Sequence, residues 1–237
     1  MRTVIRMRIE ERRNAETARD YARRILKNNI VSMDLEPGAM VSENELAAQL
    51  GLSRTPVREA LMDLAKCRVV DVMPQRGSRI ALIDYTLVDE ARFARQVLEV
   101  AILDQVCERA ATEDIAQLRQ NVRLQMMTQE PGMSESASLM ELDDAFHEKL
   151  FKIARKENIY SMLGSMTIHF DRVRNLALYV VKDSKIIEDH RLICEAIAAR
   201  DVWKAKEVMT DHLTRVKVDA GSIRKAYPQY IKQLNKG

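Results

Sequence analysis

The chain is poor in residues that interrupt or cross-link a fold. Its 237 residues hold only 3 cysteines, 7 glycines and 5 prolines. Cys67, Cys107 and Cys194 are odd in number, far apart and never spaced C-x-x-C. That excludes a disulfide framework and a zinc knuckle and leaves buried thiols in a reducing compartment. Few breakers, with abundant Ala, Leu, Glu, Arg and Met, predict a mainly α protein. No run approaches the ~18 apolar residues that span a bilayer. The N-terminus is charged throughout (Arg2, Arg6, Arg8, Glu10, Glu11, Arg12), unlike a signal peptide. A cytoplasmic protein without a membrane partner is expected. A large charge of one sign is also missing: the net charge is +3, too small to identify a nucleic-acid binder. Its distribution says more. Residues 1–80 hold 15 Lys+Arg against 11 Asp+Glu, and residues 81–237 hold 23 against 24. A basic front and a neutral back fit a DNA-contacting head on a body with another task.

What is present divides at about residue 83. The first dozen residues read as a mobile basic arm. From Asn14 to Val31, apolar Ala18, Ala22, Ile25, Leu26 and Ile30 recur at helical spacing, and Pro37-Gly38 ends the segment. Ser42 with Glu45 three residues on reads as a capping box. Leu46, Ala47 and Leu50 give the short helix that follows an apolar face, and Gly51 stops it. Ser53 caps a second helix with Pro56 in its first turn and Val57, Ala60, Leu61 and Leu64 facing inward. Two short helices around a glycine turn have the form of a helix-turn-helix. Val69, Val70 and Val72, a Pro-Gln-Arg-Gly turn, then Ile80, Leu82 and Ile83 read as a β-hairpin wing.

From residue 84 onward nearly everything reads as amphipathic helix. The expected spans are Leu87–Arg109, Thr112–Thr128, Ser134–Ala154, Asn158–Val181, Ser184–Ala199 and Asp201–Val218. Short turns predict an antiparallel all-α bundle of about six or seven helices. The domains expected are therefore a winged helix-turn-helix over 1–83 and a helical domain over 84–237. Met126, Met127, Met162 and Met166 read as core filler, Trp203 as packing in a helix hairpin, and Tyr227 and Tyr230 as tail anchors.

A recognition helix enters the major groove by its N-terminal end. Here that end offers Ser53, Arg54 and Thr55, with Arg58 on the face of Arg54 at i, i+4. Arginine can donate two hydrogen bonds to guanine, and the hydroxyls suit phosphates. Arg76 and Gly77 sit at the wing tip, with Arg79 beyond. A solvated face on a protein-binding module is the competing reading of these features alone.

The string "PGAMVSENELAAQLGLSRTPVREALMDLAK", followed by "PQRGSRI", resembles the head of the GntR family of bacterial regulators. The likeness covers about Arg23 to Ile83 and includes "SRTPVREAL" intact. It implies contacts to double-stranded operator DNA from Ser42, Arg54, Thr55, Pro56, Arg58 and Gly77, with Glu43, Ser53 and Arg76 counted beside them. Two departures stand out. Asn44 replaces a frequent Arg, and Cys67-Arg68 replaces a common Glu-Gly before the wing.

The chain has four histidines: His147, His169, His190 and His212. Asp143 and His147 are i, i+4 and share a helix face. His190 lies about ten residues before the turn at Arg200-Asp201 and His212 about eleven after it, level across a helix hairpin. Three imidazoles and a carboxylate meeting there would suit a divalent transition metal, zinc or nickel. A helix-stabilising Asp143/His147 pair and ordinary polar histidines remain the alternative from spacing alone.

"LDDAFHEKLFKIA" and "DHRLICEAIAARDVWKAKEVMTDHL" resemble signature segments of the FCD effector domain of the FadR-like GntR subgroup, over about Leu87 to Tyr230. That resemblance implies metal ligation by Asp143, His147, His190 and His212. Arg95 and Glu99 match a typical Arg and Glu of its first helix, and Arg95 is a candidate carboxylate binder. His169 matches no ligand position but is expected at the pocket wall. Arg172 and Arg174 either add positive charge to the pocket or are solvated. The expectation is a metabolite-responsive regulator, not an enzyme, that binds operator DNA as a homodimer, its affinity set by a small carboxylate at the metal. Competing readings are a metal-dependent hydrolase and a constitutive DNA-binding protein with a structural metal.

Overall fold

The computed structural model describes residues 7–129, 136–180 and 185–233. It forms two compact units. The first takes in residues up to Val88, together with Ile168–Arg172 and the segment from Tyr227 onward. The second comprises Asp89–Thr167 and Val173–Ala226. Beside the head expected over 1–83, the first unit thus includes two later pieces of chain.

In the first unit, α1 (Ala18–Val31) begins at Thr17, whose hydroxyl accepts from Asp20 N–H at 3.1 Å, as an N-cap should. It buries Tyr21, Ala22, Ile25, Leu26 and Ile30. The expected mobile arm is instead pinned from residue 7 on. The buried Asn29 side chain accepts from Arg8 N–H at 2.7 Å and donates to Arg8 C=O at 2.9 Å. Tyr21 Oη donates to Glu10 C=O at 3.1 Å. An amide that copies both backbone groups of a partner strand holds the arm; Met1–Arg6 lie outside the described residues.

β1 (Met40–Val41) leads into α2 (Glu43–Leu50) and α3 (Arg54–Lys66). Ser42 and Ser53 occupy the N-cap positions with extended backbones, but neither side chain makes a capping bond, so the expected capping box is not formed. Gly51 ends α2 in the left-handed region at φ +64°, a conformation glycine adopts without Cβ strain. β2 (Val70–Met73) and β3 (Gly77–Ile80) form the wing, and β1 completes a sheet of order β1-β3-β2. β1 is a strand that sequence periodicity does not announce, because two residues are too few to show alternation. Arg68, at the expected glycine position, does take the left-handed conformation, with φ +58°. The turn before the wing is therefore kept, at the strain a side chain meets there.

α4 (Tyr85–Arg109) starts in the first unit and runs on as the first helix of the second. α5 (Thr112–Met127), α6 (Ser136–Ile153), α7 (Glu157–Met166), α8 (Ile168–Val180), α9 (Lys185–Ala198) and α10 (Val202–Ala226) follow. Within the second unit, α9 packs on α10, and α5 on α6 and α9. Phe146, Leu150, Phe151, Ile193, Ile197, Met209 and Leu213 are among its buried core. The helix ends are closed by arginines: Arg200 donates to Ala110 C=O at 2.7 Å, and Arg109 to Ala154 C=O at 3.1 Å, satisfying carbonyls that the helices leave open.

The single helix expected over Asn158–Val181 is two. It breaks at Thr167, in the turn that also holds Gly164, where a glycine and a β-branched residue both weaken helix. Trp203 is 86% exposed and Met162 73%, and Met126, Met127 and Met166 are exposed too. None is core; periodicity cannot tell an outward apolar position from an inward one when the helix breaks or begins nearby. The tail is anchored as expected. Tyr227 and Tyr230 stack with centroids 5.5 Å apart, and Ile83 N–H donates to Tyr230 C=O at 2.8 Å.

Candidate functional site

The head presents one charged face. Ser53, Arg54, Thr55 and Arg58 are exposed on the first turns of α3, with Pro56 partly so. Ser42 and Glu43, at the start of α2, are half-buried, and Glu43 pairs with Arg54 at 3.4 Å. Arg54, Thr55 and Arg58 line a surface concavity of about 630 Å³ that also takes in Arg19 and Lys66. Those two cations escaped the sequence reading. Arg19 comes from α1, far away in the chain, and is brought in by its pair with Asp63, 2.7 Å from Nε. At the wing tip Arg76 is exposed. Gly77 follows at φ +94°, and a Cβ there would lie 2.8 Å from Val41 C=O. The wing can turn against β1 only because this residue has no side chain.

In the second unit Asp143, His147, His190 and His212 come together, all buried, with ligand atoms within 4.8 Å of one another. Asp143 and His147 come from α6, His190 from α9 and His212 from α10. His212 Nε2 lies 3.2 Å from His147 Nε2 and 3.3 Å from His190 Nε2. Asp143 oxygens lie 3.6 Å from His147 Nε2 and 3.7 Å from His190 Nε2.

The outward nitrogens decide what those inward atoms carry. Asn121 Nδ2 donates to Leu142 C=O at 3.0 Å, so its Oδ1 accepts from Gln125 Nε2 at 2.6 Å. Gln125 Oε1 therefore faces His190 Nδ1, at 2.8 Å, and that nitrogen holds the proton. His147 Nδ1 faces the Glu99 carboxylate at 2.5 Å, and His212 Nδ1 faces Asp189 at 3.5 Å. Both are close polar contacts without the alignment of a full hydrogen bond. Arg95 holds Glu99 at 2.6 Å, and Arg215 grips Asp189 at 2.6 and 2.7 Å. With each Nδ1 turned to an acceptor, three Nε2 lone pairs and a carboxylate face one another. Such a set repels itself unless a cation stands between. Nitrogens about 2.0–2.1 Å from one metal ion lie roughly 3.0–3.4 Å apart, which the observed separations match. The donor set fits a divalent metal.

The charges agree with this. Burial alone would raise the Asp143 carboxyl, but Arg174 and the three imidazoles outweigh it and hold it well below the usual carboxylate range. Burial likewise opposes ionisation of Glu99, yet Arg95 and His147 keep it at about 2. Burial pushes His190 well below its ordinary value, helped by His212, and burial also lowers His212. The His190 and His212 rings favour their neutral, ligand-competent form.

Of the expected effector residues, Arg95 and Glu99 reach the cluster as outer supports of His147. Arg174 also reaches it, pairing with Asp143 and, at 3.0 Å, with Asp144. His169 does not. It belongs to the first unit, where its Nε2 donates to Arg68 C=O at 3.0 Å. Counting turns from Lys156 to place it assumed one straight helix, and the break at Thr167 removes that register. Gln125 and the Asp189–Arg215 pair were missed. The only trace in the sequence is that Asp189 precedes one histidine and Arg215 follows another by three residues.

Comparison with known proteins bears on both units. Residues 19–80 match the family of bacterial regulatory proteins called gntR, and residues 90–215 match the FCD domain. The chain is 34% identical, over 86% of its length and 85% of the relative's, to an HTH-type transcriptional regulator in an unstable DNA locus of Streptomyces ambofaciens. It is 31% identical to the HTH-type transcriptional repressor RspR of Escherichia coli K12, over 85% of this chain and 88% of that one. The solved structure of E. coli McbR/YncC superposes with a TM-score of 0.74 over 89% of this chain and 99% of that one, at 20% identity. A putative GntR regulator from Rhodococcus sp. RHA1 gives 0.68 over 88% and 98%, at 21% identity. At such identities the two structures speak for the fold alone. The chain belongs to the GntR family of bacterial regulatory proteins: it is a DNA-binding transcription regulator, not an enzyme, with a winged helix-turn-helix head and an FCD domain.

Proposed function

We propose that this regulator binds operator DNA as a homodimer and that a small carboxylate metabolite, acting at a metal held by Asp143, His147, His190 and His212, sets its DNA affinity. The observation that carries the reading is the convergence of three imidazole Nε2 atoms, that of His212 lying 3.2 Å from His147 and 3.3 Å from His190. The metal is a divalent transition ion, zinc or nickel by its N₃O ligands. When bound, it supplies Lewis acidity and positions for a ligand carboxylate. The chain's own groups do the rest. Glu99, Gln125 and Asp189 orient the rings. Arg174, beside Asp143, is the cation placed to meet a second acidic group. Ser42, Glu43, Ser53, Arg54, Thr55, Pro56, Arg58, Arg76 and Gly77 form the DNA face. On α4, Phe93 and Val97 stand 62% and 50% exposed one turn apart, an apolar stripe fit to be covered by a second copy.

Elemental analysis of the purified protein tests the metal: about one equivalent per chain is expected, lost on chelation or in His190→Ala. Operator binding is then measured with small dicarboxylates present. A change in affinity that disappears with the metal supports the sensor. A bound metal with no carboxylate effect leaves a structural metal in a constitutive binder, and no metal at all overturns the reading.

A further inference from the structure

The first unit contains a charge that its fold leaves uncompensated. Arg172, near the start of α8, is fully buried. Its Nη2 donates to Ala81 C=O at 2.8 Å, but Nε and Nη1 have no hydrogen-bond partner among the described residues. No acidic side chain among the described residues offsets its charge, and burial by itself pulls its pKa down to about 9. One turn earlier, His169 is buried as well. Its Nε2 donates to Arg68 C=O, since a carbonyl only accepts. That leaves Nδ1 a bare lone pair, and it too has no partner among the described residues. Burial, with the Arg172 charge, brings His169 down to about 4.

His169 lines a cavity, and Arg172 donates to Ala81, another of its walls. His169 and Ala81 are walls of a space of about 410 Å³, within the range of small-molecule sites. Its other charged walls are Arg68, Asp71, Arg79, Asp84 and Lys232. Arg79 pairs with Asp71 and Lys232 with Asp84, each at 2.8 Å. Arg68 is exposed and takes part in no ion pair among the described residues. After these pairings one wall cation remains, Arg68 at the rim, and behind the wall Arg172 is bonded to Ala81. A water molecule would satisfy the open donors but not the charge, and a buried guanidinium without a counter-charge is strongly destabilising. An anion answers both needs, and oxyanions match the forked donors of arginine.

We propose that this cavity binds a small oxyanion, the phosphate or carboxylate head of a small molecule, held by Arg68 and Arg172 beside His169. It shares no residue with the metal cluster. Its walls include Asp71 and Arg79 of the wing strands, so its occupant sits against the base of the wing.

The test uses the full-length protein. Inorganic phosphate and, separately, succinate are titrated against sodium chloride of matched ionic strength. The His169 imidazole is followed by NMR, assigned with His169→Gln, together with the thermal midpoint. A saturable shift of the His169 signal with a rise in midpoint is expected for at least one anion, and which one responds names the head group. Arg172→Met and Arg68→Gln should each weaken the apparent affinity at least tenfold. Should Arg172→Met fail to fold, Arg68→Gln at its exposed position still decides. Two results overturn the proposal: no response beyond salt, or an unchanged response in Arg68→Gln. Loss of the metal by chelation should leave the His169 response intact, so failure here is separate from failure of the metal reading.

Discussion

His190 donates its Nδ1 proton to Gln125 Oε1, 2.8 Å away, and thereby turns a bare Nε2 toward His212. The bond is specified from outside the cluster, through Asn121 and the Leu142 carbonyl. Gln125→Leu should free the ring to adopt the other tautomer. Loss of such outer support lowers metal affinity about 10–100-fold. A competing-chelator titration reads this directly. Gln125→Glu, which keeps an acceptor, should recover most of the affinity; equal loss in both variants would show that packing, not the tautomer, matters.

Arg54 and Arg58 leave α3 on one exposed face. Replacing either by Ala should cost about 1–3 kcal/mol of operator binding while the thermal midpoint stays put, because neither side chain is buried. Arg76→Ala should weaken all sequences alike and flatten the slope of log affinity against log salt by about one. Specific binding undiminished in both Arg54→Ala and Arg58→Ala would remove α3 from the groove.

The Phe93 and Val97 stripe gives the dimer a test. Phe93→Glu places a charge where apolar contact is expected and should shift sedimentation of the full chain from dimer toward monomer at micromolar concentration. An unchanged sedimentation coefficient would put the interface elsewhere.

Gly77→Ala strains the wing twice. The backbone is left-handed at φ +94°, and the new Cβ would lie 2.8 Å from Val41 C=O. Backbone strain of this kind costs on the order of 1–3 kcal/mol. The midpoint of thermal unfolding should fall by several degrees, and DNA affinity should fall with it as β1 is pushed from β3.

The sequence by itself determined the elements that short-range physics controls. Helix spacing in Ala22, Ile25, Leu26 and Ile30 placed α1. Gly51 ended α2, and the Pro-Gln-Arg-Gly turn marked the wing. The family resemblance of "SRTPVREAL" and the histidine segments named both units, and hairpin counting alone set His190 level with His212. Long-range matters were decided only by the tertiary structure. Gln125, Asp189 and Arg215 are ordinary helix-surface residues until packing of α5, α9 and α10 turns them to the cluster. His169 was misplaced because one broken turn at Thr167 redirects everything after it. Arg172 is one more arginine in a charged stretch, and only burial against Ala81 makes its charge conspicuous. Local propensity carries no information about which side chains lose water together, and that loss, summed over packed helices, sets the chemistry of both sites.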